Sequence, residues 1–250
     1  MIEALRLAFT DGHWYITDQS HTPIPISTLL SPTYLAQRAA LFSPTTTAHT
    51  ITPGTAPFTS CDTVYLSTTD RHGNACSFIN STFSGFGSGL IPADCGFVLQ
   101  NRGAGFSLRS AHPNVLAPRK RPYHTIIPGL VTDGSGLRAV FGVMGGFMQP
   151  QGHVQVLLNS MRECMDPQRA LDAPRICVGA NYDPRERVVH VEEGVAQDVV
   201  EGLKEKGHRV VVVKGWGRAM FGRGQIVVRS PEGVWSAGSD LRGDGHAVGY

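Results

Sequence analysis

The chain has 250 residues, enough to bury one large hydrophobic core or two smaller ones. Hydrophobic residues make up 41% of it and charged residues 17%, a composition that excludes a disordered protein. The formal net charge of +2 gives no reason to expect a nucleic acid or an anionic membrane as partner.

Helical and turn-rich segments precede the first predicted strand. Apolar residues at helical spacing predict the end of a helix over residues 1–9. Because this helix begins at Met1 without a cap, we expect the chain to start partway through a larger unit. A short helix is predicted around residues 34–41. The stretch 43–60 is rich in Thr, Pro and Ser, which is typical of an exposed, mobile linker.

A β-hairpin is predicted after this linker. Residues 63–69 are β-branched or aromatic, residues 70–74 (DRHGN) have the composition of a hairpin turn, and residues 75–81 form the returning strand. Further strands are predicted at residues 97–100, 129–132, 139–144, 209–214 and 225–229.

Two longer helices lie between these later strands. In residues 151–164, four apolar side chains fall on one helical face, namely Val154, Leu157, Leu158 and Met161. The second helix covers residues 195–206, and Gly207 is its predicted C-terminal cap. This mixture of hairpins, helices and strands predicts an α+β fold of stacked sheets with helical cover.

Seven short motifs follow one another along the chain. They are Asp62-Thr63-Val64-Tyr65, Asp70-x-x-Gly73-Asn74-Ala75, Phe86-Gly87-Ser88-Gly89, Lys120-Arg121-Pro122, Gly142-x-x-Gly145-Gly146, Ala173-Pro174-Arg175 and Gly238-Ser239-Asp240-Leu241-Arg242. In order and spacing they resemble the small subunit of gamma-glutamyltranspeptidases. The chain before Thr63 resembles the tail of that family's large subunit. The resemblance implies two regions, 1–62 and 63–250, and a layered αββα N-terminal-nucleophile hydrolase fold that lacks the N-terminal large-subunit part.

The resemblance implies that Thr63 is the nucleophile. Members of this family are precursors that cleave themselves before a Thr, which here is the Asp62–Thr63 bond. The α-amine released at Thr63 has a pKa near ~8 and can serve as the base for the adjacent hydroxyl. Without the surrounding motifs, Thr63 would be interpreted as an ordinary strand residue.

Three more positions are catalytic by the same resemblance. Ser81 takes the place of a family Thr that hydrogen-bonds the nucleophile, although an ordinary strand hydroxyl is an equal alternative. Gly145 and Gly146 would present backbone N–H groups to the oxyanion of the tetrahedral intermediate. The alternative for this glycine pair is a tight turn after a strand.

The chain departs from the family where glutathione-specific members bind the glutamyl group. Phe83 and Gly105 replace a polar Asn and an acidic Asp, and His124-Thr125 replaces a pair of serines. A buried substrate ammonium would therefore lose its counter-charge. Arg102 is a candidate for a bidentate contact with a substrate carboxylate, while His124 and Thr125 are further substrate-binding candidates. Structural roles for Arg102 and His124 are the alternatives.

The implied function is an autoprocessed amidohydrolase or acyltransferase that cleaves gamma-glutamyl or related acyl amides. No cofactor is needed because Thr63 supplies both nucleophile and base. The expected partners are a small-molecule substrate and a separate large-subunit chain or a second copy. The alternative is a truncated, inactive paralogue that serves as a binding or structural subunit, or one that needs a separate large subunit.

Metal and membrane functions find no support in the sequence. The five Cys residues are irregularly spaced and odd in number, and the ten His residues form no H-x-x-x-H motif, so no metal site or disulfide framework is predicted. No apolar run reaches the ~18 residues of a membrane helix, and the N-terminus does not resemble a signal peptide. These observations predict a cytoplasmic protein.

Overall fold

The computed structural model describes residues 1–48, 61–179 and 188–250, with only the backbone of residues 61 and 62. Within them the α-helices are α1 (Ile2–Tyr15), α2 (Ile26–Leu29), α3 (Pro32–Ala39), α4 (Met148–Leu157), α5 (Pro167–Asp172) and α6 (Gln197–Glu205). The strands are β1 (Cys61–Thr69), β2 (Ala75–Ser84), β3 (Gly129–Asp133), β4 (Gly136–Met144), β5 (Ile176–Val178), β6 (Val188–Glu192), β7 (Arg209–Val213), β8 (Arg223–Arg229) and β9 (Trp235–Ser239). The predicted α+β class is confirmed.

The chain divides into two compact units, each assembled from three separate stretches. The first contains Met1–Thr59, Asn101–His124 and Ile176–Val212, and the second contains Ser60–Gln100, Thr125–Arg175 and Val213–Tyr250. The predicted division at residue 62 concerns the subunits after cleavage rather than these units, so it stays a prediction.

The first unit is built on a three-stranded sheet in the order β5-β6-β7. Its core consists of buried aliphatic side chains from α1, α6 and the sheet, namely Leu5, Val178, Val189, Val191 and Val200. A buried polar cluster also fixes α1, because Arg6 donates to Glu3 and to Thr47 at 2.7 Å each. Helix α1 continues six residues beyond the predicted Phe9, through polar residues that do not interrupt its hydrogen bonding.

The second unit contains the β1–β2 hairpin and an antiparallel sheet in the order β3-β4-β8-β9. Its core lies on β4, β8 and the helices that cover them, and it consists of Phe141, Val143, Val156, Leu171 and Ile226. Helix α4 begins at Met148, three residues before the predicted start, because Pro150 is tolerated in a first helical turn. It continues as a π-helical turn, Leu158–Arg162.

The buried surface of α4 contains several polar side chains beside Met148 and Val156, which the sequence pattern did not indicate. Gln149, Gln151 and Gln155 are buried, whereas Val154 on the predicted apolar face is 40% exposed. A side chain at Gly152 would lie only 2.6 Å from Val143 on β4. The absence of a side chain there lets α4 approach β4 closely.

Three further sequence predictions have three separate outcomes. The strand predicted at residues 97–100 is wrong, because this segment is a loop closed by a hydrogen bond from Leu99 N–H to the Leu90 carbonyl. The second helix, predicted at residues 195–206, is confirmed as α6 (Gln197–Glu205), and Gly207 has the positive φ of a C-terminal cap. Most of the predicted linker, residues 49–60, lies outside the described residues.

Candidate active site

The β1–β2 hairpin places the predicted nucleophile. Its turn is held by the Asp70 carboxylate, which accepts hydrogen bonds from the N–H groups of His72 at 2.8 Å and Asn74 at 2.9 Å. Gly73 has φ of 84°, which suits a residue without a side chain. These contacts explain why the DRHGN segment reverses the chain here and confirm the predicted hairpin.

A β-bulge interrupts the pairing of β1 with β2 near the N-terminal end of β1. Asp62 pairs with Phe83, but Thr63 pairs with Ser81, so Thr82 is the additional residue. Phe83 has φ of 77°, a conformation that a non-glycine residue rarely adopts. Bulges often lie next to active sites because they redirect a side chain, and strained backbone of this kind supports a functional interpretation.

The bulge brings two predicted catalytic residues together. The Thr63 hydroxyl donates to the Ser81 hydroxyl at 3.1 Å, and the Thr63 residue is only 4% exposed. The Ser81 oxygen also accepts from the Phe83 N–H at 2.9 Å, so the strained residue fixes the position of Ser81. This arrangement orients the Thr63 oxygen and withdraws it from bulk water.

The two predicted oxyanion glycines lie between β4 and α4. Gly145 has φ of 132° and Gly146 φ of 58°, and their carbonyls accept from the N–H groups of Met148 and Gln149 at 3.0 Å each. The pair therefore directly precedes the N-terminus of α4. A helix N-terminus carries N–H groups and a positive dipole end, which favour a developing negative charge.

Tyr65 on β1 connects the hairpin to β4. A side chain at Gly142 would overlap the Tyr65 ring, which shows that the ring lies directly over the backbone of β4. The Tyr65 hydroxyl bonds to Ser77 at 2.8 Å, and Ser77 donates to the Phe141 carbonyl at 3.4 Å. Burial raises the pKa of the Tyr65 hydroxyl, which keeps this group neutral. Tyr65 lies two positions after Thr63, and Gly145 lies three positions after Gly142.

The predicted substrate-binding residues lie in different units. Thr125 is buried in the second unit, and two residues later the Ile127 N–H donates to the Gln149 side chain at 3.1 Å. Arg102 and His124 belong to the first unit: Arg102 is buried in a 3-10 turn, and His124 is exposed.

Sequence reasoning missed two positions of this site, and one predicted position has no described side chain. Tyr65 and Gly142 both lie inside the recognised motifs, but without the fold nothing indicated that they contact each other. The side chain of Asp62, the predicted cleavage residue, lies outside the described part of the chain, although its backbone belongs to β1.

Two features of the described residues concern metal binding and membrane insertion. No group of three or more His, Cys, Asp or Glu side chains in residues 1–48, 61–179 and 188–250 is placed to hold a metal ion. Across the same residues, no helix combines the length and apolar character needed to cross a membrane.

Comparison with known proteins gives one consistent family. The sequence profile described as gamma-glutamyltranspeptidase matches residues 1–250. The glutathione hydrolase-like YwrD proenzyme of Bacillus subtilis is 34% identical over the whole chain, and so is the oxamate amidohydrolase proenzyme of Klebsiella pneumoniae. The chain covers 46% of each, so it spans about half the length of the curated relatives it matches.

A solved structure agrees with the sequence comparison. The cephalosporin acylase from Bacillus halodurans matches 98% of this chain with a TM-score of 0.87 and 43% identity, and the match covers 43% of that protein. The similarity confirms the predicted N-terminal-nucleophile hydrolase fold.

Proposed function

Because the chain belongs to the gamma-glutamyltranspeptidase family, we propose that it is the catalytic part of an autoprocessed amidohydrolase or acyltransferase with Thr63 as nucleophile. The observation that carries this proposal is the buried hydrogen bond between the hydroxyls of Thr63 and Ser81 in a β-bulge. The names of the curated relatives support it, since both are proenzymes and one of them is an amidohydrolase.

Maturation begins within the precursor at the Asp62–Thr63 bond. The Thr63 hydroxyl attacks the Asp62 carbonyl, and the C–N bond breaks as the ester forms, with the hydroxyl proton passing to the new amine. Water then hydrolyses the ester, which leaves a carboxylate on Asp62 and a free α-amine on Thr63. Cleavage is required because an amide nitrogen cannot act as a base.

The mature Thr63 performs the acyl transfer. Its α-amine takes the hydroxyl proton while the oxygen attacks the amide carbonyl of the substrate. The N–H groups of Gly145 and Gly146 stabilise the resulting oxyanion, and the amine product leaves with the proton. Water or another amine then attacks the acyl-Thr63 ester, giving hydrolysis or transfer.

Ser81 orients the nucleophile in this scheme. Its oxygen accepts hydrogen bonds from the Phe83 N–H and from the Thr63 hydroxyl. After cleavage, the new α-amine of Thr63 lies on the same residue as the hydroxyl it activates. Ser81 therefore holds the oxygen in one rotamer while the proton moves.

The substrate class follows from residues that differ from the glutathione-binding pattern. Phe83 and Gly105 leave no acidic or amide side chain at two positions where that pattern places polar groups. Arg102 supplies a guanidinium suited to a carboxylate, and His124 and Thr125 supply hydrogen-bonding groups. We therefore assign an acyl amide that carries a carboxylate, with gamma-glutamyl amides and smaller amido acids such as oxamate as members of the class.

The protein acts with additional polypeptide in this proposal. The curated relatives are about twice as long as this chain, and that additional length corresponds to the large subunit implied by the motifs. We propose a large-subunit chain or a second copy of this chain as the partner. The cytoplasmic location stays a prediction.

Three variants of Thr63 test the proposal. On a denaturing gel, the wild-type protein and Thr63→Ser should yield fragments 1–62 and 63–250, because Ser keeps a hydroxyl. Thr63→Ala should remain one uncut band and should not release amine from gamma-glutamyl p-nitroanilide or oxamate. A wild-type protein that stays uncut would favour the inactive binding subunit, and activity in Thr63→Ala would contradict Thr63 as nucleophile.

A further inference from the structure

A buried ion pair lies in the second unit, on residues that have no role in the proposed reaction. Arg175 and Asp240 are both almost fully buried, and their side chains meet at 2.6 Å. Asp240 also accepts from the Gly224 N–H at 2.8 Å and from the Arg242 guanidinium at 3.0 Å. Burial alone would raise the pKa of Asp240, but the two guanidinium groups outweigh it and hold that pKa below its ordinary value.

Both terminal nitrogens of Arg175 donate to backbone carbonyls. Nη1 donates to the carbonyls of Phe221 at 3.1 Å and Gly222 at 3.3 Å, and Nη2, which also bonds Asp240, donates to the Leu171 carbonyl at 3.0 Å. The first two carbonyls belong to the short turn between the 3-10 helix Gly215–Phe221 and β8. Arg175 and Asp240 therefore clamp this turn from both sides, since Asp240 binds the N–H at the start of β8.

The clamped turn directly contacts the glycine pair that we assign to the oxyanion. A Cβ built on Gly145 would lie 3.1 Å from the Gly222 Cα. A Cβ on Gly222, whose φ is 71°, would overlap the Met144 carbonyl and lie 2.9 Å from Val143. The two backbones are in contact with no side chain between them, so a shift of the turn must displace the peptide that precedes Gly145.

We propose that Gly222, clamped by Arg175 and Asp240, is a positioning residue that sets the Gly145 N–H for transition-state stabilisation. The inference rests on the proposed function, because it assigns a purpose to Gly145 only if that N–H contacts the oxyanion. Positioning matters here because a displacement of about 1 Å in catalytic geometry can cost roughly a hundredfold in rate. The ion pair acts on the reaction through the backbone and touches no substrate.

Two glycine variants separate positioning from general destabilisation. Gly222→Ala and Gly233→Ala both place a side chain at a positive φ, but Gly233 lies in the β8–β9 turn and meets only the end of the Arg229 side chain, at 3.6 Å. With gamma-glutamyl p-nitroanilide as probe, Gly222→Ala should lower kcat about 10- to 100-fold and change KM less than about twofold. Gly233→Ala should keep wild-type kcat and KM while its Tm falls.

Arg175→Lys and Arg175→Ala test the clamp itself. Lysine keeps the positive charge beside Asp240 but cannot donate to all three carbonyls, so Arg175→Lys should fold and show a lower kcat with unchanged KM. Its pH profile should match that of the wild type, because the base on Thr63 is untouched. Arg175→Ala leaves the buried Asp240 with only the Arg242 guanidinium beside it. Its Tm should therefore be lower than that of Arg175→Lys.

The outcomes distinguish this inference from the proposed function. These assays use the full chain, together with any subunit that co-purifies. Equal kcat for Gly222→Ala and Gly233→Ala, in a protein whose activity Thr63→Ala abolishes, would overturn the inference and leave the proposed function intact. Activity that survives Thr63→Ala would overturn the proposed function and the inference together.

Discussion

The Thr63 hydroxyl donates to the Ser81 hydroxyl at 3.1 Å across a β-bulge, and the strained Phe83 holds Ser81 from the other side through its N–H group. The relationship exists because the extra residue of the bulge is on β2, opposite Thr63. A regular ladder would pair Thr63 with Thr82 after the Asp62–Phe83 pair. The arrangement predicts how substitutions around Thr63 will affect the reaction.

Removing the Ser81 hydroxyl should slow the reaction without abolishing it. We expect Ser81→Ala to lower kcat about tenfold, because the lost hydrogen bond corresponds to roughly 1.4 kcal/mol of transition-state stabilisation. Ser81→Thr keeps the hydroxyl and should retain most activity. Ser236→Ala, at an exposed position on β9, is the control. A Ser81→Ala enzyme within twofold of wild type would show that Ser81 is only a strand residue.

The contact between Tyr65 and Gly142 should be sensitive to one methyl group. Gly142→Ala places a Cβ inside the Tyr65 ring, so we expect a loss of about 1–3 kcal/mol in the free energy of unfolding. In a Tyr65→Ala background the same substitution should cost much less. Gly202→Ala, in open space on α6, should stabilise by about 0.5–1 kcal/mol. Denaturant unfolding measures the wild type and the four variants, and additive effects of Gly142→Ala and Tyr65→Ala would contradict a direct contact.

Acid should destabilise the second unit through His153. Its ring lies edge-on to Phe141 with centroids 5.0 Å apart, and burial lowers the pKa of His153 to about 4. The unfolded chain, with a pKa of 6.5, therefore takes up the proton first as the pH falls. The contribution of His153 to the free energy of unfolding is complete above pH 6.5. It is lost progressively down to about pH 4, by about 3 kcal/mol in total.

Unfolding measured between pH 4 and pH 7 tests this dependence. His153→Leu should flatten the curve, while His72→Leu, at an exposed hairpin position, should leave it unchanged. His13, whose pKa burial also lowers to about 4, contributes equally to all three proteins. A His153→Leu curve as steep as that of the wild type would refute the assignment.

Arg102 should contribute to the binding of a substrate carboxylate. We expect Arg102→Ala to raise KM for oxamate about tenfold or more, and to change KM for the uncharged oxamide less than about twofold. Arg109→Ala, at an exposed position a few residues further along, is the matched control. Equal effects on the two substrates would assign Arg102 a structural role.

The patterns of strands, turns and helices predicted the α+β class and the hairpin, and the family motifs predicted the hydrogen bond between Thr63 and Ser81. The bulge itself was not predictable, because residue composition reveals that strands pair but not their register. The 97–100 strand was wrong because a short apolar run between turn residues also suits a loop closed by its own hydrogen bonds.

Local patterns were least informative where tertiary contacts dominate. The apolar stripe predicted on α4 did not indicate that Gln149, Gln151 and Gln155 are buried, or that the missing side chain at Gly152 allows a close approach to Val143. Helix α5 was missed although Asp166-Pro167 is a typical helix start: Asp166 accepts from Arg169 N–H at 3.0 Å. The clamp of Arg175 on Gly222 joins residues 46 or more positions apart and left no local signal.

N-terminal sequencing of the purified, catalytically active protein tests the central claim most directly. We predict two N-termini, that of the starting chain and a second one reading Thr-Val-Tyr-Leu from Thr63, and the second should be absent from Thr63→Ala. Active protein in which Asp62 remains joined to Thr63 through a peptide bond would contradict the account, because no free α-amine would then be present to activate the hydroxyl.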